Sequence, residues 1–453
     1  MKQYEAYKPS NLPWVVRIPS GWKISKNSQL FRESSELSER GEEPLLSLSQ
    51  YTGIYDKSNA VKVGMREADS KVGYRVIHKD DIVMNIMLAW NGSTAVSPFD
   101  GIISPAYAVY RQRTALNPKY FHYLFRIPAI CSYFESNSTG LIKSRLRLYS
   151  DSFMRLFSIV PPREEQDQIV CYLDWQVSKI NRLIAAKRKQ IALLKEHRTA
   201  KINQAVTTGI HSDTQLAYTG YNWLPYAPAN WKPVPAKALF RNVTELRRQD
   251  DSMLAATQKY GLIEQSEYMR LEGRRIVLAN DNLDKWLHTE PNDFIISLRS
   301  FQGGLEMCSK PGCVTWHYVV LRAQQDIYPD FYKWFFKSAA YIGALQKTSD
   351  FIRDGQDLRF SNFVKVGLFN IPMDEQREIA AYLNREIPKY DVAIDNLEKQ
   401  IGQITELRTR LISDVVTGQV DVRGIEVPEF EYVAEADVTG EQDEEETEEE
   451  VDG

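Results

Sequence analysis

The chain has 453 residues, of which 43% are hydrophobic, 26% charged and 11% aromatic. That is room for roughly two to four domains with real cores, and too many aromatics for a largely disordered chain. A mean hydropathy of −0.41, with no apolar run approaching the roughly 20 residues of a membrane helix, excludes a spanning segment. The start, Met1-Lys2-Gln3-Tyr4-Glu5, lacks the apolar core of a signal peptide, so a cytoplasmic location is expected. The net charge of −4 hides an asymmetry. Residues 426–453 hold fourteen acids and no Lys or Arg, which leaves a body of 56 cations against 46 acids, net +10. A basic body suits a polyanionic partner, and a block of like charges stays disordered.

In chain order, residues 1–158 read as mixed α/β. β-Branched and aromatic runs at 45–48, 82–86 and 106–110 alternate with Gly, Asn, Asp and Pro turns, and a helix is expected over 118–127. At 159–212 the pattern changes to one long helix. Pro161-Pro162 blocks helix before it, Glu164 and Glu165 suit its positive end, and Gly209 marks its close. A narrow apolar seam recurs every three or four residues at Ile169, Leu173, Val177, Ile180, Ile184, Ile191 and Leu194, the mark of a coiled coil.

The chain then repeats. Residues 213–368 give strands at 276–278, 294–298 and 319–321 and a helix over 328–345. Residues 369–424 give a second long helix closing at Gly418, with its seam at Ile379, Leu383, Ile387, Tyr390, Ile394, Leu397, Ile401, Ile404, Leu411 and Val415; Pro388 is expected to interrupt and kink it. Pro162-Arg163-Glu164-Glu165-Gln166 aligns with Pro372-Met373-Asp374-Glu375-Gln376 at an offset of 210, held without a gap to Val206-Thr207 and Val416-Thr417. Trp14, Pro19, Trp22-Lys23 and Leu30-Phe31-Arg32 match Trp223, Pro228, Trp231-Lys232 and Leu239-Phe240-Arg241 at 209. Such a period is too long for a solenoid and describes a duplicated unit of globular region plus helix. Residues 425–453 form the acidic tail.

No catalytic motif emerges. The chain has no G-x-x-x-x-G-K-[ST], no G-x-G-x-x-G, no Asn/Asp-Pro-Pro-aromatic motif and no H-E-x-x-H. Gly303-Gly304 reads as a turn, His317 as packed in a strand, and Asp80-Asp81 and Asp250-Asp251 as loop surface. Cys131, Cys171, Cys308 and Cys313 form no C-x-x-C pair and read as reduced, half-buried thiols.

The repeated Pro-Pro-x-Glu-Glu-Gln…Tyr-Leu blocks, the helical tails Lys189-Gln190-Ile191-Ala192-Leu193-Leu194 and Val415-Val416-Thr417-Gly418-Gln419-Val420-Asp421, and the stretches 97–107 and 297–304 resemble the DNA-specificity subunits of type I restriction–modification systems over residues 10–424. The acidic tail lies outside that pattern. The resemblance implies an α+β fold: two mixed α/β target-recognition domains in internal repeat (1–158 and 213–368), separated by two long antiparallel coiled-coil helices (159–212 and 369–424). It also implies a non-catalytic subunit that binds a bipartite sequence in double-stranded DNA, one half-site per domain. Two modification subunits would bring S-adenosylmethionine for adenine-N6 methylation, and motor-nuclease restriction subunits would bring ATP and Mg²⁺; no cofactor is expected in this chain. Helix length would set the unread gap.

The resemblance transfers no base-contacting residue. From the residues themselves, Lys143, Arg145 and Arg147 alternate as the cations of one strand face would, and Arg353 and Arg359 occupy the equivalent stretch of the second half. Asn91, and Arg299 and Gln302 beside Gly303-Gly304, carry side chains that can pair with adenine or guanine edges. Lys187, Arg188, Lys195 and Arg198 beside the seam face either a partner or solvent. Two other readings stay open: an autonomous DNA-modifying enzyme with an unrecognised site, and a coiled-coil scaffold without a DNA role.

Overall fold

The computed structural model describes residues 2–49, 53–56, 70–257, 260–273, 282–298, 300–348 and 358–434. The chain divides into two compact units, residues 1–189 with 397–453 and residues 190–396, so the division runs through both long helices.

In the first unit, a four-stranded antiparallel sheet is built from β1 (Phe31–Glu33), β2 (Ile82–Asn85), β3 (Thr94–Val96) and β4 (Tyr107–Gln112) in the order β1-β4-β2-β3. Successive side chains leave a strand on opposite faces, and here both faces are buried. Ile82, Met84, Ala108 and Tyr110 enter a large core with Phe31, Phe121 and Phe153, whereas Val83 and Val109 enter a smaller one with Leu46, Ile54, Ile77 and Ile103. That double burial is why β2 reads as an unbroken apolar run. The helices α1 (Pro118–Leu124) and α2 (Pro128–Ser136) close the large core.

The helix expected over 118–127 stops at Leu124, and a second helix, Pro128–Ser136, follows beyond the expected span. Pro128 holds Ile127 extended, at ψ 146°, which ends the first helix and opens the second. The first long helix, α3 (Arg163–Thr208), follows for 46 residues, about 70 Å at 1.5 Å per residue.

The second unit repeats the plan. Its sheet holds β5 (Phe240–Val243), β6 (Phe294–Ile296), β7 (Glu306–Met307) and β8 (Val319–Ala323) in the order β5-β8-β6-β7, the same pairing as in the first. Phe294, Ile296 and Leu321 face the larger core, and Ile295 and Val320 the smaller. The helix expected over 328–345 is two, α4 (Pro329–Phe335) and α5 (Ala339–Gln346), because Ser338 leaves the helix to cap α5 through Tyr341 N. The strand expected over 276–278 lies outside the described residues.

The second long helix, α6, runs from Met373 to Val416 without a break at Pro388. The expected interruption is absent because Leu383 and Ile387 before the proline and Ile394 after it are buried, so tertiary packing outweighs one missing N–H. Both long helices end on glycines in the left-handed region, Gly209 at φ 80° and Gly418 at φ 71°. At Gly418 a Cβ would lie 2.5 Å from Pro19 Cδ, so only glycine closes that helix.

The two helices run antiparallel within each unit. In the first, Arg408 Nη1 donates to Asn181 Oδ1 at 2.9 Å and Lys187 Nζ to Gln400 Oε1 at 2.6 Å. In the second, Arg198 pairs with Asp391 at 2.8 Å, and Lys201 Nζ donates to Tyr382 Oη at 3.1 Å. Lys187 and Arg198 thus tie helix to helix. Of the seam, Ile169, Leu173, Ile184, Ile191, Ile379, Leu383 and Ile394 are buried, and Ile180, Leu194, Leu397, Ile401 and Ile404 half-buried. The end residues have a second role. Ile169 and Leu173 enter the core of the first globular region with Leu411, Val415 and Val416 from α6, and Ile379 and Leu383 enter the core of the second with Ile202 and Val206 from α3. Exposed ion pairs contribute about 0–1 kcal/mol each, and a fully buried aliphatic side chain about 1.5–3, so the seam carries the packing.

Residues 425–434, expected to be disordered, lie along α3. Gln168 Nε2 donates to Val422 O (3.0 Å) and Ile425 O (2.7 Å), Asn181 Nδ2 donates to Val433 O (3.0 Å), and Val433 N donates to Ser178 Oγ (3.1 Å). Side-chain amides on α3 supply the partners that an extended backbone needs. The eleven acids of 435–453 lie outside the described residues.

Candidate nucleic-acid interface

The first unit gathers its candidate DNA contacts around the C-terminal end of α2. Ala89–Asn91 forms a 3-10 turn closed by left-handed Gly92 (φ 83°), and it presents Trp90 and exposed Asn91. The Trp90 indole N–H is held by Met87 O at 2.9 Å. Beyond α2 the chain makes a tight loop. Thr139 and Arg147 exchange backbone hydrogen bonds at 2.9 Å, and Leu148 N anchors the exit to Ile86 O at 2.8 Å. Lys143 reaches back from this loop to pair with Glu135 at 3.1 Å, its Nζ 5.5 Å from the centre of the Trp90 ring. Asn91, Lys143, Arg145 and Arg147 therefore sit on one surface region of the unit.

They do not form a strand. Lys143–Arg145 is a 3-10 turn, with Leu146 N donating to Lys143 O at 3.2 Å. Gly140, at φ 152°, forces the compact turn: a Cβ there would lie 2.4 Å from Arg145 O. Ile142, Leu146 and Leu148 alternate with these cations, but Ile142 is exposed and only Leu148 fully buried, so no continuous buried face fixes a strand. Arg147 is not a free reading arm either; its guanidinium donates to Leu146 O (2.9 Å) and Ser144 O (3.3 Å) and braces the loop. Lys143 and Arg145 remain exposed.

In the second unit, exposed Gln302 lies in the short helix Ser300–Gly303. Gly304 follows at φ 78°, where a Cβ would stand 2.2 Å from Phe336 O. Exposed Arg359 donates its backbone N–H to Asn362 Oδ1 at 3.1 Å. Arg299 and Arg353 lie outside the described residues.

A cleft of about 930 Å³ adjoins the first of these surfaces. Asn91, Lys119, Arg126 and Arg163 line it together with Arg408 and Tyr432, so the docked tail segment forms part of its wall. Lys119 Nζ donates to Asp174 Oδ2 at 2.7 Å and lies 4.4 Å from the Tyr432 ring centre, while Tyr123 Oη donates to Asp174 Oδ1 at 2.7 Å. Burial, with Arg126 and Lys119 close by, pushes the His122 pKa well down, so a neutral ring faces the Arg126 guanidinium at 3.2 Å. Lys79, Lys119, Arg126, Arg163 and Arg408 outnumber the single acid Asp80 in the cleft lining, a cationic balance that suits phosphate.

Some residues missed in the sequence are structural. Asp81 is buried, accepts from His78 N at 2.9 Å and pairs with Arg111 at 3.1 Å; it is not loop surface. Asp293 pairs with Arg322 at 2.7 Å in the same place of the second unit. The Asp251 carboxylate is tucked in too, against His288 Nδ1 at 2.8 Å, with its side chain 6% exposed. His317 is exposed in a turn, stacked on Trp316 at 3.6 Å, rather than packed in a strand. Cys308 and Cys313 are buried, Cys131 is half-buried and Cys171 exposed; all four are free thiols. Among the described residues, no cluster of His, Cys, Asp and Glu could hold a metal ion, and no helix is long and apolar enough to cross a membrane.

No protein-family model matches the sequence, and no curated protein matches it. Solved structures do. A chain from work on complex assembly and conformational transition of a type I R-M system matches at TM-score 0.64 and 13% identity, over 89% of this chain and 99% of that one. The HsdS subunit from Thermoanaerobacter tengcongensis matches at TM-score 0.47 and 14% identity, over 89% and 98% of the two chains. A type I restriction–modification S subunit from M. genitalium matches at 0.32 and 12%, over 87% and 96%. The first likeness shows a shared fold across nearly all of both chains: two mixed α/β regions in repeat and two long antiparallel helices.

Proposed function

We propose that the chain is the non-catalytic DNA-specificity subunit of a type I restriction–modification complex, reading one half of a split DNA sequence with each globular region. The observation that carries this is the duplication. Two sheets of identical strand order each precede a long helix, in a fold shared with a chain of a type I system. A two-fold repeated reader suits a site of two half-sites, as dimeric readers suit paired sites about 34 Å apart. The exposed cations Lys143, Arg145 and Arg359 and the amides of Asn91 and Gln302 supply phosphate and base-edge chemistry, and Arg299 and Arg353 add to that set from the sequence.

Double-stranded DNA is then the ligand. Modification subunits, two per complex, would carry S-adenosylmethionine and methylate adenine at N6; restriction subunits would carry ATP and Mg²⁺. Residues 1–158 and 213–368 are the proposed recognition domains, and 159–212 and 369–424 the spacers that the modification subunits grip. The proposed compartment is the cytoplasm, where chromosomal and incoming DNA meet the complex. The test is modification-sensitive single-molecule sequencing of the host genome with the gene intact and deleted. A split motif methylated on both strands and lost on deletion is expected. An unchanged methylation map, in a host that expresses the partner subunits, overturns the assignment.

A further inference from the structure

The loop that carries Lys143 and Arg145 has an apolar tip. Leu141 is fully exposed, at 102% of its reference area, and the adjacent Ile142 is 56% exposed. A lone exposed leucine needs no explanation. This pair differs in three respects. It stands at the apex of a loop that cannot collapse, because Thr139 and Arg147 close it with two backbone hydrogen bonds and Gly140 leaves no room for a side chain against Arg145. Arg147 braces the loop from within through Leu146 O and Ser144 O. Two exposed cations, Lys143 and Arg145, follow within four residues, and Asn91 shares the same surface region.

A rigid aliphatic tip flanked by cations fits one occupant well, the stacked base steps of a DNA duplex. Proteins that kink DNA insert Leu, Ile, Phe or Met between base pairs while Arg and Lys hold the flanking phosphates. The loop meets both needs at once: its conformational entropy is already spent in the fold, and its charge complements the backbone it must approach. The sequence gives the second half the same order, apolar-apolar-cation, in Phe351-Ile352-Arg353, 210 residues on from Leu141-Ile142-Lys143. Those three residues lie outside the described ones.

We infer that Leu141, supported by Ile142, is a wedge that enters a base step at the edge of the first half-site, so that recognition by this region includes local unstacking of the duplex. This rests on the DNA-reading function proposed above. A wedge of this kind makes specificity depend on how readily a step opens, with flexible pyrimidine–purine steps favoured at the point of entry.

The experiment uses the full chain and 30-base-pair duplexes recovered by selection from a random-sequence library, with 2-aminopurine scanned through the recovered site. Wild type is expected to raise 2-aminopurine fluorescence at one step beside the half-site. The double variant Leu141→Ala/Ile142→Ala is expected to lose that signal and to bind roughly tenfold more weakly with an unchanged salt slope. Leu141→Met, which keeps an apolar tip, is expected to retain the signal. Both side chains are exposed, so an unchanged melting temperature will show that the fold survives. Fluorescence that stays high in the double-alanine variant, or a wild-type complex without any unstacked step, overturns the wedge while leaving DNA recognition standing. Failure of wild type to enrich any sequence overturns the DNA-reading function, and the wedge with it.

Discussion

Glu165 accepts the indole N–H of Trp22 at 3.0 Å and the hydroxyl of Tyr4, and Glu375 accepts the indole N–H of Trp231 at 2.9 Å. The next residue of each block has an equally definite task. Gln166 accepts from Asn117 N at 2.8 Å and donates to Pro161 O at 2.8 Å; Gln376 accepts from Tyr328 N at 2.7 Å and donates to Ile371 O at 2.8 Å. The repeated Glu-Gln thus fastens the start of each long helix to the tryptophan and the first core helix of its own globular region. A buried polar group left without its partner costs about 1–3 kcal/mol, which explains an exact repeat at these two positions amid drift elsewhere.

His288 is the residue with a pH signature. Burial disfavours its charge, but hydrogen bonds to Glu290 at 2.9 Å and Asp251 at 2.8 Å outweigh it and raise its pKa above the ordinary value. Arg248, paired with Glu290 at 3.0 Å, is the opposing charge nearby. A raised folded-state pKa means that the folded form holds the proton more tightly than the unfolded chain. The stabilisation is therefore complete below pH ~6.5 and is lost as pH rises through the folded value. When neutral, the ring can donate to only one of its two carboxylates. Thermal unfolding of the chain at pH 6 and at pH 9 is expected to show the transition of residues 190–396 falling at the higher pH by about 2–4 °C per kcal/mol lost. His288→Gln is expected to flatten this dependence, and a pH dependence that survives the substitution counts against it.

At the scale of elements, Pro388 lies exposed inside α6. Its ring removes the N–H that Asn384 O would accept, at an interior cost of up to about 3 kcal/mol. Pro388→Ala is expected to raise the thermal midpoint, with a stability gain of about 1–3 kcal/mol and slightly greater helicity by circular dichroism; a drop would show that the neighbouring packing is shaped to the proline. The long helices were legible because a seam, a proline in front and a glycine behind all agree, and the sheets because strands buried on both faces read as apolar runs. The loop at 139–147 was not. Alternating cations fit a strand and a turn equally well, and the deciding residue, Gly140, acts through a backbone contact with Arg145 that no periodicity records. The break between α4 and α5 was likewise hidden, since apolar spacing continues across it while Ser338 turns the backbone.

For the whole molecule the open question is its divided charge. The segment 425–434 is held on α3 by Gln168, Ser178 and Asn181, and Arg182 pairs with Glu431 at 3.3 Å. Tyr432 and Ala434 line the same cationic cleft as Asn91, Lys119, Arg126 and Arg163. The eleven acids that follow are therefore tethered at the edge of a surface proposed to face phosphate, which raises their local concentration there far above that of a free polyanion. They should compete with non-specific DNA and leave a well-matched site, with its base contacts, comparatively unaffected. Deleting 435–453 removes those acids, shifts the net charge from −4 to +7 and keeps the docked segment. Affinity for a 30-base-pair duplex lacking the recognised site is expected to rise roughly three- to tenfold at 50 mM salt and to converge with wild type near 200 mM, because screening lengths fall to about 8 Å at physiological ionic strength. An unchanged low-salt affinity, measured by fluorescence anisotropy, would show that the tail does not act on the DNA-facing surface.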